Sequence, residues 1–241
     1  MAGTQCCENP PALDSTSGVG HVEEIGGLKS YVSAISSSSI AVILISDMFG
    51  YEAPKLRKLA DKVAAAGYYA VVPDFFHGDP YNPEDKNRPI QVWIKDHGPV
   101  SLCSYSLLVK KISCETDLFM RTKEDPSVIH LETQKAHTKH YLKRKSNITA
   151  KFLYIGLKVP VVILGGENDQ ISPPELLKKF SEILRSKPEV DSFVKIFPAV
   201  AHGWAMRYDE NDVVAVKAAE EAHQDMLAWF NKYIKMLVRD E

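Results

Sequence analysis

The sequence has no long hydrophobic run, few cysteines and little net charge, and each of these absences excludes a class of protein. Its longest apolar run, residues 40–45, is far shorter than the ~18 residues that a membrane-spanning helix needs. Four cysteines in 241 residues form no CxxC pair, so neither a disulfide framework nor a zinc site is expected. The net charge of −2 offers no general attraction for a nucleic acid. We therefore predict no membrane, metal, cofactor or nucleic-acid partner.

The N-terminus also lacks the basic and then apolar regions of a secretory signal, so a cytoplasmic location is expected. Residues 1–20 are rich in proline, serine and glycine, which predicts a flexible N-terminal arm. A hydrophobic content of 45% is ordinary for a globular protein that buries a sizeable core. At this length we expect one domain that spans residues 1–241.

Strand-like and helix-like patterns follow one another along the chain. Continuous apolar runs are the mark of strands buried on both faces of a sheet. Such runs are found at residues 40–45, 69–72, 159–164 and 193–197, and a weak alternation at residues 28–34 predicts an edge strand. Helical periodicity is found from Pro54 to just before Gly67, from residue 172 to 184 and from residue 213 to 237. This order predicts an α/β fold whose mostly parallel sheet has helices on both faces.

A histidine and an acid follow two of the predicted strands, and their order suggests a catalytic pair. Asp169 ends the run VVILGGEND, and His202 lies in FPAVAHGWAMRYD after the next strand. In α/β-hydrolases the triad acid precedes the histidine in the chain. An acid at this position would fix the tautomer of the histidine and stabilise the imidazolium. Glu167 is a rival acid that a strand period of two aims the same way, so the sequence leaves the choice open.

Four blocks of sequence resemble the dienelactone hydrolase family, and within it the plant-type branch. They are SDMFGYEAPKLRKLADKVAAAGYYAVVPDFFHGDPY, VPVVILGGENDQISPPELL, EVDSFVKIFPAVAHGWAMRYD and AVKAAEEAHQDMLAWF. The resemblance covers roughly residues 1–98 and 157–238. It implies an α/β-hydrolase fold and a Cys–Asp–His triad that attacks the carbonyl of an ester or lactone. Asp169 and His202 match the family's acid and base.

The same resemblance assigns further residues to the substrate pocket. Asp47 falls where many members carry a glutamate that restrains the cysteine, and Met48 falls where a backbone N–H serves the oxyanion hole. Trp204 belongs to the implied pocket, and Arg207 lies near a position that contacts a substrate carboxylate in some relatives. The implied partner is a small-molecule ester or lactone.

The family's nucleophile is not found in the sequence. Its elbow has the pattern Gly-x-Cys-x-Gly, because a strained strand-to-helix turn needs small residues on both sides of the nucleophile. The chain contains no such pentad for cysteine or serine, and Cys103 and Cys114 are poor candidates because bulky or β-branched residues stand two positions away. The elbow should fall within residues 98–157, an atypical basic segment in which the resemblance stops. Its abrupt boundaries suggest an altered exon, a retained intron or a frame error, and predict a replaced or disrupted central strand–elbow–helix unit.

The sequence therefore leaves three functions open. The chain could use the family's cysteine chemistry, or the His202–Asp169 pair could activate water directly. A third interpretation is a catalytically dead family member that acts as a small-molecule-binding or interaction protein. A two-carboxylate glycosidase is not supported, since Glu167 and Asp169 on one strand would lie near the lower limit of the ~5–9.5 Å separation which that chemistry uses.

Overall fold

The computed structural model describes residues 4–35, 38, 40–97, 131–132 and 160–233, which form two compact units. The N-terminal unit contains the described residues from 9 to 97 together with 131–132, and the C-terminal unit contains residues 4–8 and 160–233. The predicted disruption of the central strand–elbow–helix unit concerns residues 98–157, which lie outside the described residues except for 131–132. In the described ranges, no helix is long and apolar enough to cross a membrane. The prediction of a single domain stays a prediction.

The N-terminal unit is built on a mixed five-stranded sheet with the order β1-β2-β4-β3-β5. Its strands are β1 (His21–Ile25), β2 (Leu28–Ser33), β3 (Ala41–Ile45), β4 (Tyr69–Pro73) and β5 (Leu131–Glu132), and its helices are α1 (Pro54–Ala65) and α2 (Ile90–Asp96). β3 is parallel to both β4 and β5, whereas β2 is antiparallel to β1 and β4. β3, α1 and β4 thus form a strand–helix–strand unit with parallel strands, as the order of the patterns in the sequence predicts.

The sequence pattern is less informative about β1 and β2, the antiparallel strands of this sheet. The prediction of an edge strand at residues 28–34 is wrong, because β2 pairs with β1 on one side and β4 on the other. β1 itself is not apparent in the sequence, since only Ile25 of its five residues is buried. β2, by contrast, has five buried residues out of six, which suits an internal strand.

Helix α1 packs the face that its periodicity predicts. Pro54 begins the helix, where its missing N–H costs no hydrogen bond, and the chain leaves the helix at Gly67 with φ +100°. The predicted apolar face is buried throughout and comprises Leu56, Leu59, Ala60, Val63 and Ala64. Burying each of the larger aliphatic side chains stabilises the fold by about 1.5–3 kcal/mol.

Arg57 is also buried in α1 and holds part of the preceding chain. Its Nη1 donates to the carbonyl oxygens of Ser15 and Ser17 at 2.8 and 3.3 Å, and its Nε donates to the Tyr51 carbonyl at 3.1 Å. The guanidinium lies 4.7 Å from the ring centroid of Tyr31, within cation–π range. Residues 15–17 are therefore bonded to helix α1 by a buried side chain.

The C-terminal unit contains two parallel strands, β6 (Val161–Gly166) and β7 (Ser192–Phe197), and two helices, α3 (Pro174–Arg185) and α4 (Val213–Tyr233). The last paired residues are Gly166 and Phe197, so the loops after β6 and β7 leave the same edge of the sheet. Open α/β sheets place their sites at this carboxyl edge. Asp169 and His202 lie in these two loops.

The helices of this unit cover the strand pair with apolar side chains. Leu177 and Phe180 of α3 form a cluster to which Ile163 and Ile196 contribute. A second cluster of Phe197, Val200 and Ala222 joins the end of β7 and the following loop to α4. This second cluster anchors the backbone just before His202.

Candidate active site

Asp169 and His202 meet beyond the ends of β6 and β7. Nδ1 of His202 lies 2.9 Å from Oδ2 of Asp169, and both residues are buried. The other carboxylate oxygen, Oδ1, accepts hydrogen bonds from the backbone N–H groups of Ile171 and Ser172 at 2.7 and 2.8 Å. These bonds hold the carboxylate in one orientation, and the carboxylate in turn orients the imidazole.

Burial and hydrogen bonding act on the pKa of Asp169 in opposite directions. Burial alone raises it, because the charged carboxylate loses water. The hydrogen bonds from His202, Ser172 and Ile171 outweigh burial and hold the pKa of Asp169 below its ordinary value of 3.8. Asp169 is therefore ionised at neutral pH, and its charge favours the tautomer of His202 that carries its proton on Nδ1.

The second ring nitrogen of His202, Nε2, is the atom that can act on a ligand. When Nδ1 donates to Asp169, Nε2 carries the lone pair and can accept a proton. Nε2 is buried and has no hydrogen-bond partner within the part of the chain that the structure describes. A buried acceptor in this condition costs about 1–3 kcal/mol, and a catalytic role is one of the reasons for which proteins retain such groups.

The structure distinguishes the two acids between which the sequence leaves the choice open. Oε2 of Glu167 accepts a hydrogen bond from the backbone N–H of Ala199 at 2.9 Å, whereas Asp169 contacts His202. β6 ends at Gly166, so both acids lie in the turn that follows the strand. The expectation that they point the same way is wrong, because side chains alternate with a period of two only within a strand.

The loop that carries His202 also contains the predicted pocket residues Trp204 and Arg207. The Trp204 ring packs on Phe197 with the ring centroids 4.5 Å apart. Arg207 is buried, and its guanidinium lies against the backbone of Gly203, whose φ is +83°. The N–H of Arg207 donates to the Gly203 carbonyl at 2.8 Å. Gly203 therefore provides a left-handed turn and the space in which Arg207 packs.

Replacing Gly203 with alanine is expected to lower the free energy of unfolding by about 2–4 kcal/mol. A Cβ would overlap the Arg207 guanidinium, and a left-handed φ is itself unfavourable for alanine. Gly27→Ala is the matched control, because Gly27 has φ +79° but no atom within 4 Å of a built Cβ. Urea denaturation of both variants should show the larger loss for Gly203→Ala, and equal losses would contradict the packing argument.

The other two predicted pocket residues, Asp47 and Met48, belong to the N-terminal unit. They follow β3 in a turn in which Oδ1 of Asp47 accepts the N–H of Phe49 at 3.0 Å. Met48 is buried, and its carbonyl accepts the N–H of Tyr81 at 2.8 Å. The structure describes these contacts within that unit, and the pocket roles of both residues stay predictions.

Two further residues support the acid and base loops, and neither role is apparent in the sequence. The side-chain amide of Gln5 donates to the Asn168 carbonyl at 3.1 Å and accepts the Gln170 N–H at 2.8 Å, so it bonds to the backbone on both sides of Asp169. Nε2 of the buried His223 lies 3.0 Å from the Ala205 carbonyl, so this histidine contacts the backbone of the loop that carries His202. Within the described ranges no group of three or more side chains could hold a metal ion.

Comparison with known sequences identifies a family. The family model "Dienelactone hydrolase family" matches the chain in two overlapping pieces, residues 28–156 and 135–234. The chain is 36% identical over 209 residues to an endo-1,3;1,4-beta-D-glucanase of Zea mays, an alignment that covers 78% of this chain but only 64% of the maize protein. A carboxymethylenebutenolidase homolog of Xenopus tropicalis is 29% identical over 228 residues, which cover 89% of this chain and 91% of the relative.

Comparison with solved structures identifies the fold. A proposed dienelactone hydrolase from Klebsiella pneumoniae superposes with a TM-score of 0.60 over 86% of this chain and 93% of its own. Its sequence identity of 18% is too low to carry more than the architecture. The predicted α/β-hydrolase-like class, with a sheet and flanking helices, is confirmed.

Proposed function

The chain belongs to the dienelactone hydrolase family, and on this premise we propose that it hydrolyses ester or lactone bonds with His202 as general base. The observation that carries the proposal is the buried 2.9 Å contact between Nδ1 of His202 and Oδ2 of Asp169. It leaves Nε2 as the proton acceptor and gives the imidazolium a charged partner. In the proposal Asp169 orients the base and takes no proton itself.

In the proposed reaction, Nε2 of His202 takes a proton from the nucleophile as that nucleophile attacks the carbonyl carbon. The C=O π bond opens to give a tetrahedral oxyanion, while ionised Asp169 stabilises the imidazolium. The oxyanion then collapses, the bond between carbon and the leaving oxygen breaks, and His202 returns its proton to the alkoxide, which departs as an alcohol. With water as the nucleophile, an ester gives the alcohol and a carboxylic acid, whereas a lactone opens to a single hydroxy acid because its alkoxide stays attached.

Two nucleophiles are compatible with this base. The family uses a cysteine, but the sequence has no Gly-x-Cys-x-Gly pentad, and Cys103 and Cys114 lie outside the described residues. Water needs no strained turn and reaches the same products without an acyl-enzyme. Because the pentad is absent, we favour water activated directly by His202.

The proposed substrate is a small molecule that carries an ester or lactone. We propose that Trp204 and Arg207 of the C-terminal unit line the substrate pocket, and the pocket roles that the sequence gives to Asp47 and Met48 stay predictions. Arg207 supports this assignment because a guanidinium binds a carboxylate through two parallel hydrogen bonds. The cytoplasmic location expected from the sequence belongs to the same proposal.

Glucan hydrolysis, which the name of the maize relative describes, is not proposed for this chain. Glycosidases of the common type use two carboxylates on either side of the sugar bond. Glu167 is bonded to the Ala199 N–H, and Asp169 is bonded to His202 and two backbone N–H groups. The two carboxylates thus have different partners, and none of these contacts points to a pair that acts across a sugar bond.

A second candidate function is binding without catalysis, and the absent nucleophile pentad is the observation that favours it. A family member of this kind would retain a pocket around His202 and Arg207. It would bind an ester or lactone and release it unchanged.

Hydrolysis of p-nitrophenyl acetate, with and without prior treatment with iodoacetamide, tests these alternatives. We expect turnover above the rate of the buffer and no effect of the alkylating agent. Loss of turnover on alkylation, reproduced by Cys103→Ala or Cys114→Ala, would identify a thiol nucleophile and contradict the role of water. Absence of turnover in a protein with a folded circular-dichroism spectrum would contradict the enzyme and favour the binding protein.

A further inference from the structure

The two loops that carry Asp169 and His202 are bonded to each other by their backbones. The parallel ladder of β6 and β7 ends with Gly166 opposite Phe197. Beyond it, the N–H of Glu167 donates to the Phe197 carbonyl, and the N–H of Asn168 donates to the Val200 carbonyl, both at 2.9 Å. Residues 198–199 lie between the two acceptor residues, Phe197 and Val200, and form a short bend.

In this bend Ala199 adopts a backbone conformation that alanine does not favour. Ala199 has φ +59°, in the left-handed region where a Cβ is crowded. The preceding residue, Pro198, has no N–H to contribute a hydrogen bond. The N–H of Ala199 donates to Oε2 of Glu167 at 2.9 Å, and no backbone acceptor for it occurs among the described residues. A side chain from the acid loop thus holds the strained residue of the base loop.

We propose that Glu167 is a positioning residue for His202. His202 follows Ala199 by three residues, so the conformation at Ala199 determines where the imidazole is presented to Asp169. The carboxylate of Glu167 selects that conformation, because a charged acceptor makes a stronger hydrogen bond to an N–H than a neutral one. This inference rests on the proposed function, in which His202 is the base.

The effect of removing the Glu167 side chain depends on how exposed its contact with the Ala199 N–H is. Glu167 is exposed, and water competes for its carboxylate, so loss of the bond shifts the loop without unfolding it. Small displacements of a catalytic group are costly to the rate. We expect Glu167→Ala to lower kcat/KM by about fivefold to tenfold and Glu167→Gln to restore most of the loss, since glutamine keeps an acceptor oxygen.

Three variants of the full chain and one control test the proposal. They are Glu167→Ala, Glu167→Gln and the double variant Glu167→Ala/Ala199→Gly, with Glu182→Ala as a control for removal of an exposed acid from α3. Glycine adopts a left-handed φ without strain, so Ala199→Gly should make the Glu167 side chain dispensable. The readout is the proton NMR signal of the His202 Nδ1–H, assigned by its loss in His202→Asn.

We expect this signal to broaden and to exchange faster with solvent in Glu167→Ala, and to match the wild type in the other three proteins. An unchanged signal in Glu167→Ala would overturn the proposal, and so would a folded double variant in which the signal is not restored. If Glu167→Ala does not fold, the test depends on the double variant Glu167→Ala/Ala199→Gly. A folded double variant with the wild-type His202 Nδ1–H signal supports the proposal. Failure of both to fold contradicts it, because glycine should replace the function of the side chain.

The NMR readout separates this inference from the proposed function. If the signal responds as expected but the wild-type protein hydrolyses no ester, the positioning role stands and the proposed function fails. If Glu167→Ala matches the wild type while His202→Ala abolishes turnover, the proposed function stands and the positioning role fails. Absence of the Nδ1–H signal from the folded wild-type protein would overturn both, because the Asp169–His202 bond would not be formed.

Discussion

Replacing His202 with alanine is expected to lower kcat/KM for an activated aryl ester by about a thousandfold. Alanine removes Nε2, the atom proposed to take a proton from the nucleophile, and leaves ionised Asp169 without its partner. Steady-state kinetics with p-nitrophenyl acetate measure the loss, and circular dichroism should show that the fold is kept.

His21→Ala is the matched control for this prediction. His21 lies in β1 with its side chain 67% exposed, and the proposal gives it no part in the reaction. We expect its kcat/KM to stay within about twofold of the wild type, as is usual for exposed positions. Equal kinetics for His202→Ala and the wild type would show that any esterase activity has another origin.

Replacing Asp169 with asparagine is expected to lower kcat/KM by about a hundredfold or more. Asparagine keeps the size of the side chain and an acceptor oxygen for the N–H groups of Ile171 and Ser172. It would then direct its NH₂ group at Nδ1 of His202, which favours the tautomer that carries the proton on Nε2. That tautomer cannot accept a proton at Nε2.

The comparison of Asp169→Asn with Glu167→Gln, made in the same assay, shows which of the two acids orients His202. A larger loss for Glu167→Gln would contradict the assignment.

The same variant is expected to change how stability depends on pH. The pKa of Asp169 is lower in the folded chain than its ordinary value of 3.8. A group of this kind stabilises the fold above its unfolded pKa, and the contribution is lost as the pH falls through the folded pKa. The wild type should therefore exceed Asp169→Asn in free energy of unfolding most clearly at about pH 5–7, above both the folded and the unfolded pKa of the Asp169 carboxyl group. The difference should shrink towards about pH 2. A difference independent of pH in urea denaturation would show that the carboxylate charge is not involved.

The parts of the fold that the sequence predicts best are those that bury a continuous apolar surface. β3, β4, β6 and β7 are predicted because a strand covered on both faces needs apolar residues at successive positions. β1 escapes detection since four of its five residues are exposed. Its place in the sheet depends on hydrogen bonds to β2, and backbone hydrogen bonds leave little trace in the choice of side chains.

The candidate site shows the same limit at the level of single residues. The strand order places Asp169 and His202 after neighbouring strands. From spacing alone, however, Glu167 could equally be the acid that contacts His202. The two acids are distinguished by the turn after Gly166, whose direction no local pattern reveals. Gln5 contacts the same turn from more than 160 residues away in the chain, and residues 1–20 predict only a flexible arm.

The sequence by itself therefore determined the family, the α/β class and a small set of candidate catalytic residues, His202 and the two acids Glu167 and Asp169. It could do so because apolar periodicity and local motifs are properties of short segments. It also determined that no Gly-x-Cys-x-Gly pentad is present. Only the tertiary structure decided which acid meets His202, which side chain holds Ala199 and where Arg207 packs. The contacts of Asp169 with His202 and of Glu167 with Ala199 join residues that are 33 and 32 positions apart in the chain. Their geometry, and the turn at Gly203 on which Arg207 packs, depend on how the loops after β6 and β7 fold.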